Sequence, residues 1–268
     1  MTLLANLSMY DPPLMRDHTN ALWETIAQQL RSIGLDAPER LQWSDDILSD
    51  WLNKNLLLSQ TCGYPYVSKL RGNVKLVGIP DYGAVTGKPG WYYSVIICHK
   101  DDQRSQLANF AKTKFAYNET NSQSGCQAMM YTLKKSVGDG KFFAKCIETG
   151  AHKMSAKAVS EGRADIAAID IITWQHLCRD EPFTNNLRVL HQTAPTPGLP
   201  YICAQQFDAA AIALSIQKAM HLLPKETSDV LFLKGFIPAI DQDYDLIDQR
   251  SHFSKPVFNA HFPDQKSN

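Results

Sequence analysis

The sequence carries no excess charge of either sign: 27 Lys and Arg face 27 Asp and Glu over 268 residues, so the formal net charge is zero. That balance leaves no basic footprint for nucleic acid and no polybasic patch for a membrane surface. No apolar run approaches the roughly 20 residues that a membrane-spanning helix needs. There is no C-x-x-C, and the cysteines at 62, 98, 126, 146, 178 and 203 stand at long spacings, with no Cys/His cluster of zinc-ligand type. Buried free thiols are the plain reading, and no metal is expected. Repeats, charge blocks and low-complexity tracts are also missing. So are G-x-S-x-G, the P-loop and G-x-G-x-x-G, which removes the hydrolase elbow, the nucleotide-phosphate cradle and the dinucleotide fingerprint. Ser215-Ile-Gln-Lys218 has S-x-x-K spacing, but it lies in an amphipathic helix with no second element beside it. No activated nucleophile or acid–base pair can be assembled, so neither catalysis nor a cofactor is expected. The stretch from Met1 to Tyr10 lacks a basic n-region, a full apolar h-region and a cleavage site. Either a leader has been removed or the protein is not exported.

What is present is an ordinary folded composition, 44% apolar and 20% charged, which excludes a mainly disordered chain. Short apolar runs alternate with amphipathic stretches, the pattern of β-α units. Leu3–Ser8, Leu56–Ser59, Val74–Ile79 and Tyr92–Cys98 read as strands, with helices from Leu14 to Ile33 and just after Tyr64. A second set follows: strand Lys114–Tyr117, a helix from Ser122 to about Lys135, a short element Phe142–Ile147, a helix from Ser155 to Gly162, and strands Ala164–Ile169 and Leu187–Leu190. The proline-rich connector 195–200 leads to an alanine-rich helix from Asp208 to about Leu223. With no long linker, two lobes must be joined by extended segments, and Tyr93–Ile96 and Gln192–Pro200 are the natural crossings. In such α/β lobes ligands collect at the carboxyl ends of strands, so a cleft between lobes is the expected site.

Four features carry chemistry. Asn121-Ser122-Gln123-Ser124-Gly125 opens a helix, where unpaired N–H groups and the helix dipole favour an anion and two hydroxyls add donors; taken alone, an ordinary N-cap at Asn121 or Ser122 is the plainer reading. Glu148-Thr-Gly-Ala-His152 sets a histidine before another helix, able to donate to an oxyanion, although an exposed loop histidine is the plainer reading. Asp170 ends the most apolar strand of this half. It is placed either to accept a ligand's proton or pair with an ammonium, or to cap the next helix. Tyrosines cluster in Gln60-Thr-Cys-Gly-Tyr64-Pro-Tyr66 and Trp91-Tyr-Tyr93, and half-burial of their rings explains most of them.

Taken in order, Leu7-Ser-Met-Tyr-Asp11, Leu57-Leu-Ser-Gln-Thr-Cys-Gly-Tyr-Pro65, Tyr92-Tyr-Ser94, Asn121–Gly125, Thr149-Gly-Ala-His152 and Ala164–Asp170 resemble the phosphate/phosphonate-binding proteins of ABC transporters. The likeness runs from about Leu3 to Tyr201. It implies the α/β, two-lobed type 2 periplasmic-binding-protein fold, each lobe a mostly parallel sheet flanked by helices. Residues 1–93 and 197–268 would form one lobe and 94–196 the other. It also implies a hinge-closing receptor for phosphate, phosphite or a phosphonate, working with permease and ATPase subunits as a periplasmic monomer. The ligand contacts it implies are Tyr10, Thr61, Tyr64, Tyr93, Ser122, Gln123, Ser124, His152 and Asp170. Gln123 stands where the family carries a small hydroxyl residue, and the connector Thr196–Pro200 lacks the second acidic residue of aminophosphonate binders. The alternative is a cytoplasmic enzyme or ligand sensor on the same fold.

Overall fold

The computed structural model describes residues 2–10 and 13–264. Asp11, part of the first motif above, lies outside the described residues. The chain divides into two compact units, Met1–Trp91 with Pro197–Asp245 and Tyr92–Thr196 with Leu246–Asn268. Each has its own sheet and core.

The first unit holds a five-stranded sheet. Its strands are β1 (Leu4–Asn6), β2 (Leu56–Gln60), β3 (Val74–Asp81), β11 (Tyr201–Ala204) and β12 (Gly235–Ile237), in the order β1-β2-β11-β3-β12. β2 is buried at every position, so it reads as a continuous apolar run rather than an alternating one. Helix α1 (Arg16–Ser32) buries Leu22, Trp23, Ile26 and Leu30 at helical spacing. It stops at Gly34, whose φ of 86° suits a residue without a Cβ. Helices α2 (Ile47–Trp51), α3 (Gly63–Pro65), α7 (Ala209–Leu222) and α8 (Lys225–Val230) complete the unit. Asp46 and Asp208 cap α2 and α7 with their side chains.

The second unit has strands β5 (Ser94–His99), β6 (Lys114–Tyr117), β7 (Lys145–Glu148), β8 (Ile166–Asp170) and β9 (Leu187–Gln192), in the order β7-β6-β8-β5-β9. Helices α4 (Ala128–Ser136), α5 (His152–Ser160) and α6 (Ile171–Asp180) belong to it. The expected strand over 92–98 is split at Tyr93. Trp91–Tyr92 (β4) pairs instead with Thr196–Pro197 (β10), where the chain passes from one unit to the other. Helix α5 begins at His152, three residues before the expected Ser155, which puts the histidine on its first turn.

Both sheets are mixed, a correction to the mostly parallel sheets expected. β1 runs parallel to β2, and β6 parallel to β7 and β8. The strands that follow a crossing, β5 and β11, run antiparallel to both neighbours. A strand entered directly from the other unit needs no crossover helix, so nothing forces it to run with its neighbours.

The end of the chain also differs from expectation. The stretch after Asp245 joins the second unit rather than the first. Helix α9 (Asp245–His261) places Val257 in the core with Phe115, Phe143 and Met129, and Phe262 joins them just beyond it. His261 fixes the arrangement. Its Nε2 accepts from the Phe142 and Phe143 N–H groups at 3.0 Å each, and Nδ1 donates to the Val257 carbonyl at 2.7 Å. Burial pulls the ring's pKa down, which keeps Nε2 free of a proton and able to accept.

Candidate functional site

In the second unit the parallel strands β6, β7 and β8 deliver their carboxyl ends to one place. After β6 the chain turns through Asn118 to Ser122, whose Oγ accepts from the Gly125 N–H at 3.0 Å and so caps the next helix. The first turn, Gln123–Gln127, is π-helical and runs straight into α4. Its leading N–H groups have no acceptor inside the helix and carry the positive end of the dipole. Ser122, Gln123 and Ser124 are all buried.

His152 comes from the loop after β7. Its Nε2 lies 2.8 Å from Ser124 Oγ. The loop is held by Thr149 N donating to the Tyr117 carbonyl at 2.9 Å and Gly150 N donating to the Asn118 carbonyl at 3.0 Å. Burial pulls the imidazole down to about 4, against the weaker pull of the Ala168 carbonyl toward protonation. The ring is therefore neutral at physiological pH. Asn118 Oδ1, nearby, is buried and makes no hydrogen bond.

Gly125 sits between these two residues. A Cβ there would fall 1.8 Å from Asn118 Oδ1 and 3.1 Å from His152 Cε1. Packing against Asn118 and His152 therefore requires glycine, while the anion chemistry alone does not.

Ser94 ties the turn to the sheet, a role the sequence did not single out. Its Oγ donates to the Ser124 carbonyl at 3.0 Å, its N–H donates to Thr193 Oγ1 at 2.9 Å, and it stands opposite Asp170 in the β5–β8 ladder. Asp170 is buried and caps α6, with Oδ1 accepting from Ile172 N at 2.7 Å and Thr173 N at 3.0 Å. Tyr93 is half-buried, and its carbonyl accepts from Ile171 N at 3.1 Å. The structure thus brings Ser122, Ser124 and His152 together and adds Asn118 and Ser94. Their only sequence signal was position, at the end of one strand and the start of another.

The remaining expected residues lie in the first unit, where Tyr10 follows β1 and Thr61 follows β2. Tyr10 is half-buried and packs edge-on against Tyr82, with ring centroids 5.3 Å apart. Thr61 is buried, its N–H donating to the Pro200 carbonyl at 3.0 Å. Tyr64 lies in α3, half-buried, its carbonyl accepting from Ser68 Oγ. Among the described residues no group of His, Cys, Asp or Glu is placed to hold a metal, all six cysteines are free, and no helix is long and apolar enough to cross a membrane.

A family model described as the periplasmic substrate-binding protein of phosphonate ABC transporters matches residues 52–244. No curated protein sequence matches. Solved structures do. One is PhnD1 of Prochlorococcus marinus in complex with methylphosphonate, with a TM-score of 0.76 and 16% identity over 96% of this chain and 99% of that one. A second is a binding-protein component of an ABC phosphonate transporter from Pseudomonas aeruginosa, at 0.71 and 17% over 95% and 86%. A Xanthomonas citri protein bound to chloride matches at 0.70 and 16% over 95% and 97%. At these identities the likeness shows the shared two-lobed fold.

Proposed function

This chain belongs to the family of periplasmic substrate-binding proteins of phosphonate ABC transporters, and from that premise we propose that it binds a small phosphorus oxyanion, phosphate, phosphite or a phosphonate, at the turn Ser122–Gly125 and His152. The observation that carries the reading is the 2.8 Å contact of Ser124 Oγ with His152 Nε2 beside a buried helix-opening turn. Two hydroxyls, a neutral imidazole and leading N–H groups converge there, the donor set a tetrahedral oxyanion needs. The two side chains exchange their mutual hydrogen bond for bonds to the ligand. Tyr10, Thr61, Tyr64, Tyr93 and Gln123 are further proposed contacts on the strength of the resemblance.

Asp170 we assign to selectivity. A carboxylate near an anion is repulsive by several kcal/mol at about 4 Å even at an effective dielectric of 20. It is tolerated when the ligand brings a proton to it, as hydrogen phosphate does, and sulfate does not. The same side chain caps α6 through Oδ1, which fixes the carboxylate at the carboxyl end of β8.

We read the protein as a receptor rather than a catalyst. A Ser–His contact also begins a nucleophile–base pair, but a catalytic imidazole is oriented by a carboxylate or amide on its second nitrogen, and the further group acting on the His152 ring is the Ala168 carbonyl. Delivery to permease and ATPase subunits, as a monomer in the periplasm, completes the proposal.

Calorimetric titration with phosphate, phosphite and methylphosphonate tests it. Ser124→Ala and His152→Ala should each lower affinity about ten- to a hundredfold, the roughly 1.5–3 kcal/mol of one hydrogen bond to a charged group. Unchanged affinity in both variants, or no binding of any phosphorus ligand by the wild type, refutes the reading.

A further inference from the structure

Beside the turn lies a small pocket that no expected ligand residue except Gln123 reaches. It is lined by Gln123, Gln127 and Tyr131 from the turn and α4, by Ala194, and by Arg250 and Ser251 from α9. Arg250 is the unusual member. Its guanidinium lies 4.8 Å from the Tyr131 ring centroid, and its NH1 donates to the Ala194 and Pro195 carbonyls at 3.1 and 2.9 Å. Nε is buried and makes no hydrogen bond. Among the described residues no carboxylate pairs with it, whereas Arg71, Arg104, Arg163 and Arg179 each have an acidic partner. Burial pulls its pKa down, and only Tyr131 acts in the other direction. A half-buried cation with no counter-charge gives up part of its hydration, a cost that an anionic ligand would offset.

The rest of the turn supplies no formal positive charge. His152 is neutral, because burial opposes its protonation. The donors of Ser122, Ser124 and the helix start are dipoles. Arg250 is thus the full cation that shares a pocket wall with the oxyanion turn.

We propose that Arg250 supplies the positive charge of the oxyanion site, through the pocket it shares with Gln123, and so sets a preference for the doubly charged form of the ligand. The proposal rests on the oxyanion reading of Ser122–Gly125 and His152 and deepens it. Neutral donors alone discriminate weakly between a monoanion and a dianion, while a nearby unpaired cation in a partly desolvated pocket favours the second charge. Hydrogen phosphate meets both demands made by this unit: it has two charges for Arg250 and one proton for Asp170. Gln123, which stands where the family carries a small hydroxyl residue, lines the same pocket as Arg250.

The charged and titratable groups around the guanidinium are few. From α4 it faces Tyr131, from the connector it meets backbone carbonyls, and on its own helix Asp248 is turned to His252 at 3.4 Å. Lys134, one turn along α4, is engaged with Asp139.

Two substitutions separate charge from structure. Arg250→Gln removes the charge but keeps a polar side chain, and the unfolding curves read any loss of the Ala194 and Pro195 contacts; Arg250→Lys keeps the charge. Inorganic phosphate is titrated calorimetrically across its second ionisation, in both variants and the wild type, with urea unfolding run beside each. The wild type should bind more tightly as hydrogen phosphate replaces dihydrogen phosphate. Arg250→Gln should lose about tenfold in affinity and most of that rise, and Arg250→Lys should stay within a few-fold and keep it. Equal losses in both variants would make Arg250 a clamp on the connector, and wild-type behaviour in Arg250→Gln would leave it without a role; either overturns the proposal. Should a variant fail to fold, Gln123→Glu places a carboxylate beside the guanidinium and should weaken phosphate binding, and unchanged affinity there refutes the proposal. If the wild type binds phosphate with no change across the ionisation, this inference fails while the oxyanion reading stands. If it binds no phosphorus ligand, the oxyanion reading itself fails.

Discussion

Replacing Gly125 by alanine tests the geometry of the site without any ligand. The added Cβ would lie 1.8 Å from Asn118 Oδ1, 2.8 Å from Asn118 Cγ and 3.1 Å from His152 Cε1. Non-bonded carbons settle at about 3.5–4.0 Å, so the Asn118 amide must leave its place. The backbone cannot follow easily, because the Asn118 carbonyl is bonded to Gly150 N and the Ser122 hydroxyl to Gly125 N. Overpacking of this kind costs about 1–3 kcal/mol. Against it stands the gain from removing a glycine inside a helical turn, at most about 1 kcal/mol. Gly125→Ala should therefore be destabilising by up to roughly 2 kcal/mol, the difference of those two terms. In an Asn118→Ala background the severe contact is gone and only His152 must yield by a few tenths of an ångström. There the same substitution should be neutral or stabilising. Urea unfolding of the wild type, both single variants and the double variant measures this cycle, and a coupling of about 1 kcal/mol or more is expected. Additive single-variant effects would refute the packing of Asn118, Gly125 and His152 described above.

Acid should weaken the fold in a defined window. Burial pulls both His152 and His176 from 6.5 to about 4, with Arg179 adding to the effect at His176 and Asp180 opposing it. The unfolded chain binds these protons first, so the stability they contribute is complete above about pH 6.5 and falls away toward about pH 4, by up to roughly 3 kcal/mol for each. Urea midpoints that stay flat through that range would contradict it, and His176→Gln should remove part of the slope. Tyr244 is fully buried and donates to the Gly198 carbonyl at 2.9 Å, so Tyr244→Phe should cost about 1–2 kcal/mol, read as a lower unfolding midpoint with unchanged m. Asp170→Asn keeps a good capping residue on α6, so stability should hold while the advantage of phosphate over sulfate narrows in competition titrations. Loss of stability with unchanged selectivity would leave Asp170 as a cap alone.

Much of this molecule is local, and local features are readable. The apolar runs at Leu56–Leu58 and Ile166–Ile169 are strands because both faces are buried. The helical spacing of Leu22, Ile26 and Leu30, ended by Gly34, sets the first long helix. Ser122 before a helix and Asp170 after a strand announce caps, because a side-chain oxygen two or three residues before an N–H reaches it whatever the rest of the chain does. The alternation of strands and helices gives the α/β class for the same reason. Sequence order alone thus located Ser122, Ser124, His152 and Asp170 at strand ends and helix starts.

Tertiary structure decided the rest. That Ser124 meets His152, 28 residues away, depends on β6 and β7 lying side by side in parallel, and no local pattern encodes which strands become neighbours. The same holds for Ser94, an ordinary strand residue until the antiparallel β5–β8 register sets it against Asp170 and its hydroxyl finds Ser124. The direction of β5 and β11 follows from how the chain enters each unit, which propensity does not record. The destination of α9 was hidden for a further reason. Its place is set by Val257 and His261 meeting Phe142 and Phe143, more than a hundred residues earlier, which no local pattern records. Arg250 comes to the oxyanion turn only through that placement, since a charged residue in an amphipathic helix reads as solvated surface until the packing of the helix half-buries it.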